Sequence, residues 1–122
     1  MVGKIVTNTG INELPKLLAG SGSKMGWIAV GTSTVDPAPG DTAMKGEVAR
    51  KAATYSISGG QVVFEAVFAP GELGSAVITE LGLLSAATGG VLYYREVRNP
   101  LSFDASVGAA FKMKASFARG AA

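Results

Sequence analysis

Between Gly10 and Ala19 the apolar residues Ile11, Leu14, Leu17 and Leu18 recur at the spacing of one helical face, and from Gly26 onward the period changes to two. The first pattern predicts one helix of two to three turns. Asn8 or Asn12 is expected near its start, because Pro15 is tolerated only in a first turn, and Gly20-Ser21-Gly22-Ser23 ends it. A helix this short is unstable alone, so its apolar face is expected to plug the core across an open edge or end of a sheet.

The period-two region opens with a strand over Gly26-Trp27-Ile28-Ala29-Val30-Gly31, followed by a loop from Thr32 to Asp41 in which Pro37, Pro39 and Gly40 exclude regular structure. Asp41 is expected to N-cap a single helical turn over Asp41 to Glu47, after which Val48 to Lys51 is extended. Two hairpins come next. Ala53 to Ser58 and Gln61 to Phe68 flank Gly59-Gly60, a pair that tolerates the positive φ angles of a two-residue turn. Ile78 to Ser85 and Val91 to Val97 flank a second turn ending in Gly89-Gly90.

On the second strand of the first hairpin, Val62, Phe64, Ala66 and Phe68 share a face while Val63 and Val67 lie on the other, so both faces are expected to be partly covered. The last strand, Ala109 to Phe117, places Ala109, Phe111, Met113, Ala115 and Phe117 on one face and Lys112 and Lys114 on a wet one. These segments predict an all-β fold, an antiparallel β-sandwich or barrel with one short N-terminal helix. A single domain over residues 1–122 would comprise an N-terminal arm and helix (1–20), a β domain (26–118) and a short tail (119–122).

Composition narrows the chemistry. A length of 122 residues suits one domain, and 48% apolar against 16% charged residues is enough to offset ordering entropy despite 17 glycines. Histidine and cysteine are both absent, which excludes disulfides, thiolate nucleophiles, Ser-His and Cys-His catalysis, and zinc or copper sites of imidazole or thiolate. Eleven basic residues against nine acidic leave a net charge of +2, too small for a polyanion-binding surface, so nucleic acid is not an expected partner. A membrane is not expected either, since no apolar run reaches about 18 residues. The opening Met1 to Val6 is too short and interrupted for a signal-peptide core, so the chain is expected to be made and used without secretion.

Local motifs give no catalytic residue, cofactor or metal site. Gly20-Ser21-Gly22-Ser23-Lys24 lacks phosphate-loop spacing and follows a helix rather than a strand. Asp36 and Asp41, with Thr34 and Thr42, offer too few oxygen ligands for calcium and read as turn and cap residues. Glu65, Glu72 and Glu96 read as solvated strand or loop carboxylates. Glu80 stands apart, because it lies inside the apolar segment Val77 to Leu84 and a buried carboxylate needs a cation, with Arg95 on the other hairpin arm or Arg50 as its mate. Arg50, Lys51, Arg95, Arg98, Lys112 and Lys114 carry no interleaved aromatics of the kind that stack bases.

Several of these stretches, in order, resemble a phage structural family. Gly26-Trp27-Ile28-Ala29-Val30-Gly31-Thr32, Asp41-Thr42-Ala43-Met44, Glu47-Val48-Ala49-Arg50-Lys51-Ala52 and Ile78-Thr79-Glu80-Leu81-Gly82-Leu83-Leu84, followed by Gly89-Gly90-Val91-Leu92, are similar to the small β-rich virion proteins and tail-fibre modules of tailed bacteriophages. In that family "IAVGTGTT", "DTAL", "EVAR" and "ITEIGLF" recur in this order, and the opening Ile5 to Asn12 is similar as well. The resemblance spans roughly residues 5 to 98. Ser33, Met44 and Leu84 stand where the family often has Gly, Leu and Phe, changes that packing tolerates. The matching Glu47, Arg50 and Glu80, with Arg95, are the candidates for a buried or interfacial ion-pair network.

The resemblance implies a non-enzymatic structural protein of the virion, assembled in the host cytoplasm, with no cofactor. A tail-fibre or tail-associated module is the first reading and a capsid decoration protein the alternative. Either would work as a homo-oligomer, with a trimer the leading expectation, against other virion proteins of the tail, baseplate or major capsid. Partner contacts are expected on Val2 to Thr9, the Thr32 to Thr42 loop and the C-terminal tail. A carbohydrate-binding module on the same scaffold is the second alternative, and it requires Trp27, Tyr93 and Tyr94 as an exposed platform.

Overall fold

A computed structural model describes residues 3–102, 106 and 108–116. Val2, Phe117 and the tail from 119 to 122 lie outside the described residues. The elements run β1 (Gly3–Val6), α1 (Asn8–Leu18), β2 (Trp27–Gly31), β3 (Glu47–Ala52), β4 (Thr54–Ser58), β5 (Gln61–Phe68), β6 (Val77–Leu84), β7 (Leu92–Ser102) and β8 (Ala109–Ser116). They form two antiparallel sheets, a five-stranded one in the order β1-β7-β6-β2-β3 and a three-stranded one in the order β4-β5-β8. This is an all-β, sandwich-like fold with one helix.

Alternation decides which side chains meet between the sheets. Ile28 and Val30 of β2 and Leu81 and Leu83 of β6 face Phe64, Ala66 and Phe68 of β5 and Phe111 and Met113 of β8 across one core. Phe68 and Phe111 meet edge to face at 5.9 Å between ring centres. Burying such side chains contributes about 1.5–3 kcal/mol each, and this layer makes the two sheets one body. Lys112 and Lys114 of β8 point to water, as the alternation predicts.

β6 is buried at seven of its eight positions, because the five-stranded sheet is covered on its outer face too. Ala29, Leu84 and Leu92 form a smaller apolar cluster there with Trp27 and Met44. Helix α1 lies against β7, where Gly10 lets the two backbones close up: a Cβ on Gly10 would stand 2.6 Å from the Tyr93 carbonyl oxygen. No described helix is long and apolar enough to cross a membrane.

The helix begins at Asn8, one of the two positions expected near its start, and Thr7 caps it: its hydroxyl accepts from the Gly10 N–H at 3.0 Å and donates to the Leu92 carbonyl, a contact that also ties the cap to β7. Four local expectations are corrected. Pro15 falls in the second half of the helix, where three residues follow it before the end. The helix does not plug the core with its apolar stripe, since Ile11 is exposed and Leu18 is 92% exposed, and Gly10 is the buried helical residue. Residues 3–6 are not a free arm but β1, paired with β7 from Gly3↔Val97 to Val6↔Tyr94. No helical turn forms over 41–47.

Candidate functional site

The loop from 32 to 46 crosses the outer face of the five-stranded sheet, above the positions where Glu80 of β6 and Arg95 of β7 stand side by side. Glu80 and Gly82 share this face by alternation, and Gly82 is the register partner of Arg95. Arg95 Nε donates to Glu80 Oε2 at 2.7 Å, and both side chains are 0% exposed. Arg95 Nη1 reaches Asp41 Oδ2 at 3.2 Å, and its Nη2 donates to Ser33 Oγ at 3.4 Å. One guanidinium thus holds a carboxylate from the sheet and another from the loop.

The carboxylates bind backbone in turn. Glu80 Oε2 accepts the Lys45 N–H at 2.6 Å and Oε1 the Gly46 N–H at 2.9 Å, while Asp41 Oδ2 accepts the Ala38 N–H at 2.9 Å. Thr79 Oγ1 donates to the Ser33 carbonyl at 2.8 Å, and the Thr32 N–H to the Gly46 carbonyl at 3.0 Å. No buried side-chain nitrogen or oxygen among the described residues lacks a partner, the condition under which buried charge is tolerated. Gly31 is part of the arrangement, because a Cβ there would collide with Glu80 Oε1 and stand 2.6 Å from the Gly46 carbonyl oxygen.

A separate clamp holds the β6–β7 turn. Arg50 Nε and Nη2 donate to the two Glu47 carboxylate oxygens at 2.8 and 2.7 Å, and Nη1 donates to the carbonyls of Ala86 at 2.8 Å and Gly89 at 2.9 Å. The four candidate residues therefore fall into two groups. Glu80 and Arg95 belong to the buried cluster, Glu47 and Arg50 to the clamp on the 85–91 turn, and Arg50 is not the mate of Glu80.

A third set of contacts fixes the stretch between α1 and β2. The Tyr93 hydroxyl donates to the Ser23 carbonyl, and Glu13 Oε2 accepts the Ser23 N–H at 2.8 Å. Burial, with the nearby Glu13 carboxylate adding to it, pushes the Tyr93 hydroxyl up to about 12. Burial also raises the Tyr94 hydroxyl, with the charge of Glu96 and its hydrogen bond at 3.0 Å acting the same way. The Ser23 N–H, and after it Lys16, holds the Glu13 carboxyl below the usual carboxylate range.

The remaining candidates are scattered. Asp36 is exposed while Asp41 turns inward to Arg95, so the two aspartates do not converge. Glu65 lies 3.8 Å from Lys112, Glu72 pairs with Lys51 and accepts the Ala69 N–H at 2.7 Å, and Glu96 meets Tyr94. Arg95 is buried, so the basic residues form no continuous stripe. Tyr93 is buried and Tyr94 half-buried, both lining an apolar cleft of about 240 Å³ with Leu14 and Met113, while Trp27 packs elsewhere with Ala29, Leu84 and Leu92. They make no shared exposed platform.

Asp41, Ser33 and Lys45 join the cluster without having been singled out for it. The one signal in the sequence was Glu80 in an apolar run; a loop aspartate reads the same whether it faces water or a guanidinium 54 positions away. In comparison with known proteins, no family model matches the chain and no curated protein matches it.

Proposed function

We propose that this chain is a non-enzymatic structural protein of a tailed-bacteriophage virion, a tail-fibre or tail-associated module that binds a symmetric virion surface in several copies. What supports the reading is that the four stretches carrying the resemblance are neighbours in the fold, since β2 pairs with both β3 and β6 and the loop is bonded to Glu80 of β6. β2 supplies Gly31, the loop supplies Asp41 and Met44, β3 supplies Glu47 and Arg50, and β6 supplies Glu80 and Gly82. The shared residues thus form a structural kernel of two adjoining ion-pair sets and their packing, which is what a family of structural modules has in common when its contact surfaces vary.

That kernel has a mechanical consequence. It holds the largely exposed stretch from 32 to 40 as fixed relief on the sheet, pinned at Ser33, Asp41, Lys45 and Gly46, and joined to the helix where the Asn8 N–H donates to the Pro39 carbonyl at 2.8 Å. A loop ordered before docking loses less entropy when a partner binds. Exposed apolar side chains at Ile11, Leu18, Tyr55 and Ile57 offer further surface of the kind that subunit contacts use. A decoration protein on the head would use the same features, and the position in the particle separates the two.

The test is the protein composition of gradient-purified virions from the lysate in which the chain is made. Peptides of this chain at a fixed ratio to the tail proteins are the expected result. Their absence from infectious particles, with the chain present in the soluble fraction, would overturn the reading.

A further inference from the structure

Strand β4 is an edge of the three-stranded sheet, with β5 as its one sheet neighbour among the described residues. Its sequence, Thr54-Tyr55-Ser56-Ile57-Ser58, carries no charge, no proline and no glycine, and its pairing with β5 runs without a register shift. Edges are ordinarily blunted by charge, proline or a bulge. This one is not.

Tyr55 and Ile57 sit opposite Phe64 and Val62, on the core-facing side, yet they are 67% and 70% exposed: β4 lies outside the cover of the five-stranded sheet. The turn is Gly59-Gly60, with positive φ at Gly59 alone, and a two-residue turn makes Ser58 and Gln61 a hydrogen-bonded pair. By alternation Thr54, Ser56 and Ser58 direct their backbone groups at β5. Tyr55 and Ile57 direct theirs outward, so the free amides and the free apolar side chains belong to the same two residues.

We propose that β4 pairs with β4 of a second copy of this chain, antiparallel, about a two-fold axis at Ser56. Centring there sets Tyr55 against Ile57 of the second copy, and the reverse, which satisfies all four outward N–H and C=O groups of each strand. It also forms an aromatic–β-branched cross-strand pair twice and sets Thr54 against Ser58, combinations that stabilise antiparallel sheets. Ala53 and Ala52 then face Gly59 and Gly60, so no like charge and no bulky side chain opposes the approach. The product is a six-stranded sheet across two copies. The contact is isologous and closes at two, in place of the trimer the resemblance implies. It stands independently of the virion reading, since it follows from the edge alone.

Because the chain has no cysteine, single-cysteine variants report the register directly. Residue 56 meets itself across the axis at a non-hydrogen-bonded position, where Cα atoms are about 4.5 Å apart, within disulfide range. Residue 54 is displaced from its own copy by four residues, about 14 Å along the strand. Under mild oxidation, Ser56→Cys is expected to shift most of the 12.3 kDa chain to a band of twice that mass, and Thr54→Cys to remain single. Both positions are exposed, so folding is not at stake. A Ser56→Cys chain that stays single, or cross-links no more than Thr54→Cys, would overturn the proposal.

Discussion

At Gly31 and Gly82 the absence of a side chain serves one surface in two different ways. A Cβ on Gly31 meets a carboxylate held by three hydrogen bonds and a backbone carbonyl, neither able to yield. At Gly82 the nearest atom is the sulfur of Met44, the end of a flexible side chain. Gly31→Ala is therefore expected to cost about 1–3 kcal/mol by urea denaturation and Gly82→Ala less than about 1 kcal/mol. Equal costs would mean that Glu80 is not locked. Arg95→Met is the larger change, because it strands two buried carboxylates, and a loss of about 3–5 kcal/mol is expected in the same measurement.

Within the helix and its neighbours, the cap and the tyrosine below it carry the testable weight. Thr7→Ala removes the helix cap and the bond to Leu92, and is expected to cost about 1 kcal/mol, read from the urea midpoint. Tyr93 sets an alkaline limit. Its phenol is held neutral to about pH 12 in the folded chain, against about 10 in an unfolded one, so the folded state favours the protonated form. The stabilisation it gives is complete below about pH 10 and is lost as pH rises through about 12. An absorbance titration at alkaline pH should show two late-ionising phenols, Tyr93 and Tyr94, and one fewer in Tyr93→Phe; an unchanged titration would contradict the assignment.

What could be read from the chain alone follows the range of the forces involved. The strands were legible because alternation and Gly-Gly turns are local, and Glu80 was legible because an acid inside an apolar run violates its surroundings. β1 was not, since Gly3-Lys4-Ile5-Val6 is too short for a period and becomes a strand only by lying beside β7. The helix start at Asn8 was within reach of the pattern, but the place of Pro15 was not, because its ring is accommodated in the second half of the helix rather than in the first turn. Asp41 keeps the local turn contact its type suggests, accepting the Ala38 N–H, but it caps no helical turn and its buried charge partner, Arg95, is reachable only through the tertiary fold.

Over the whole molecule, a two-layer β scaffold holds one sheet between an apolar core and a pinned outer loop, and leaves apolar residues exposed on the helix and on an uncharged edge. Such a body gains stability from packing and presents surfaces for contact, which fits the proposed role of a module repeated on a particle. The direct measurement is electron microscopy of intact virions labelled with an antibody to this chain. Label on the tail or its tip is the predicted result; a regular coat of label over the head would contradict the tail placement in favour of a decoration protein, and particles without label would contradict the virion function itself.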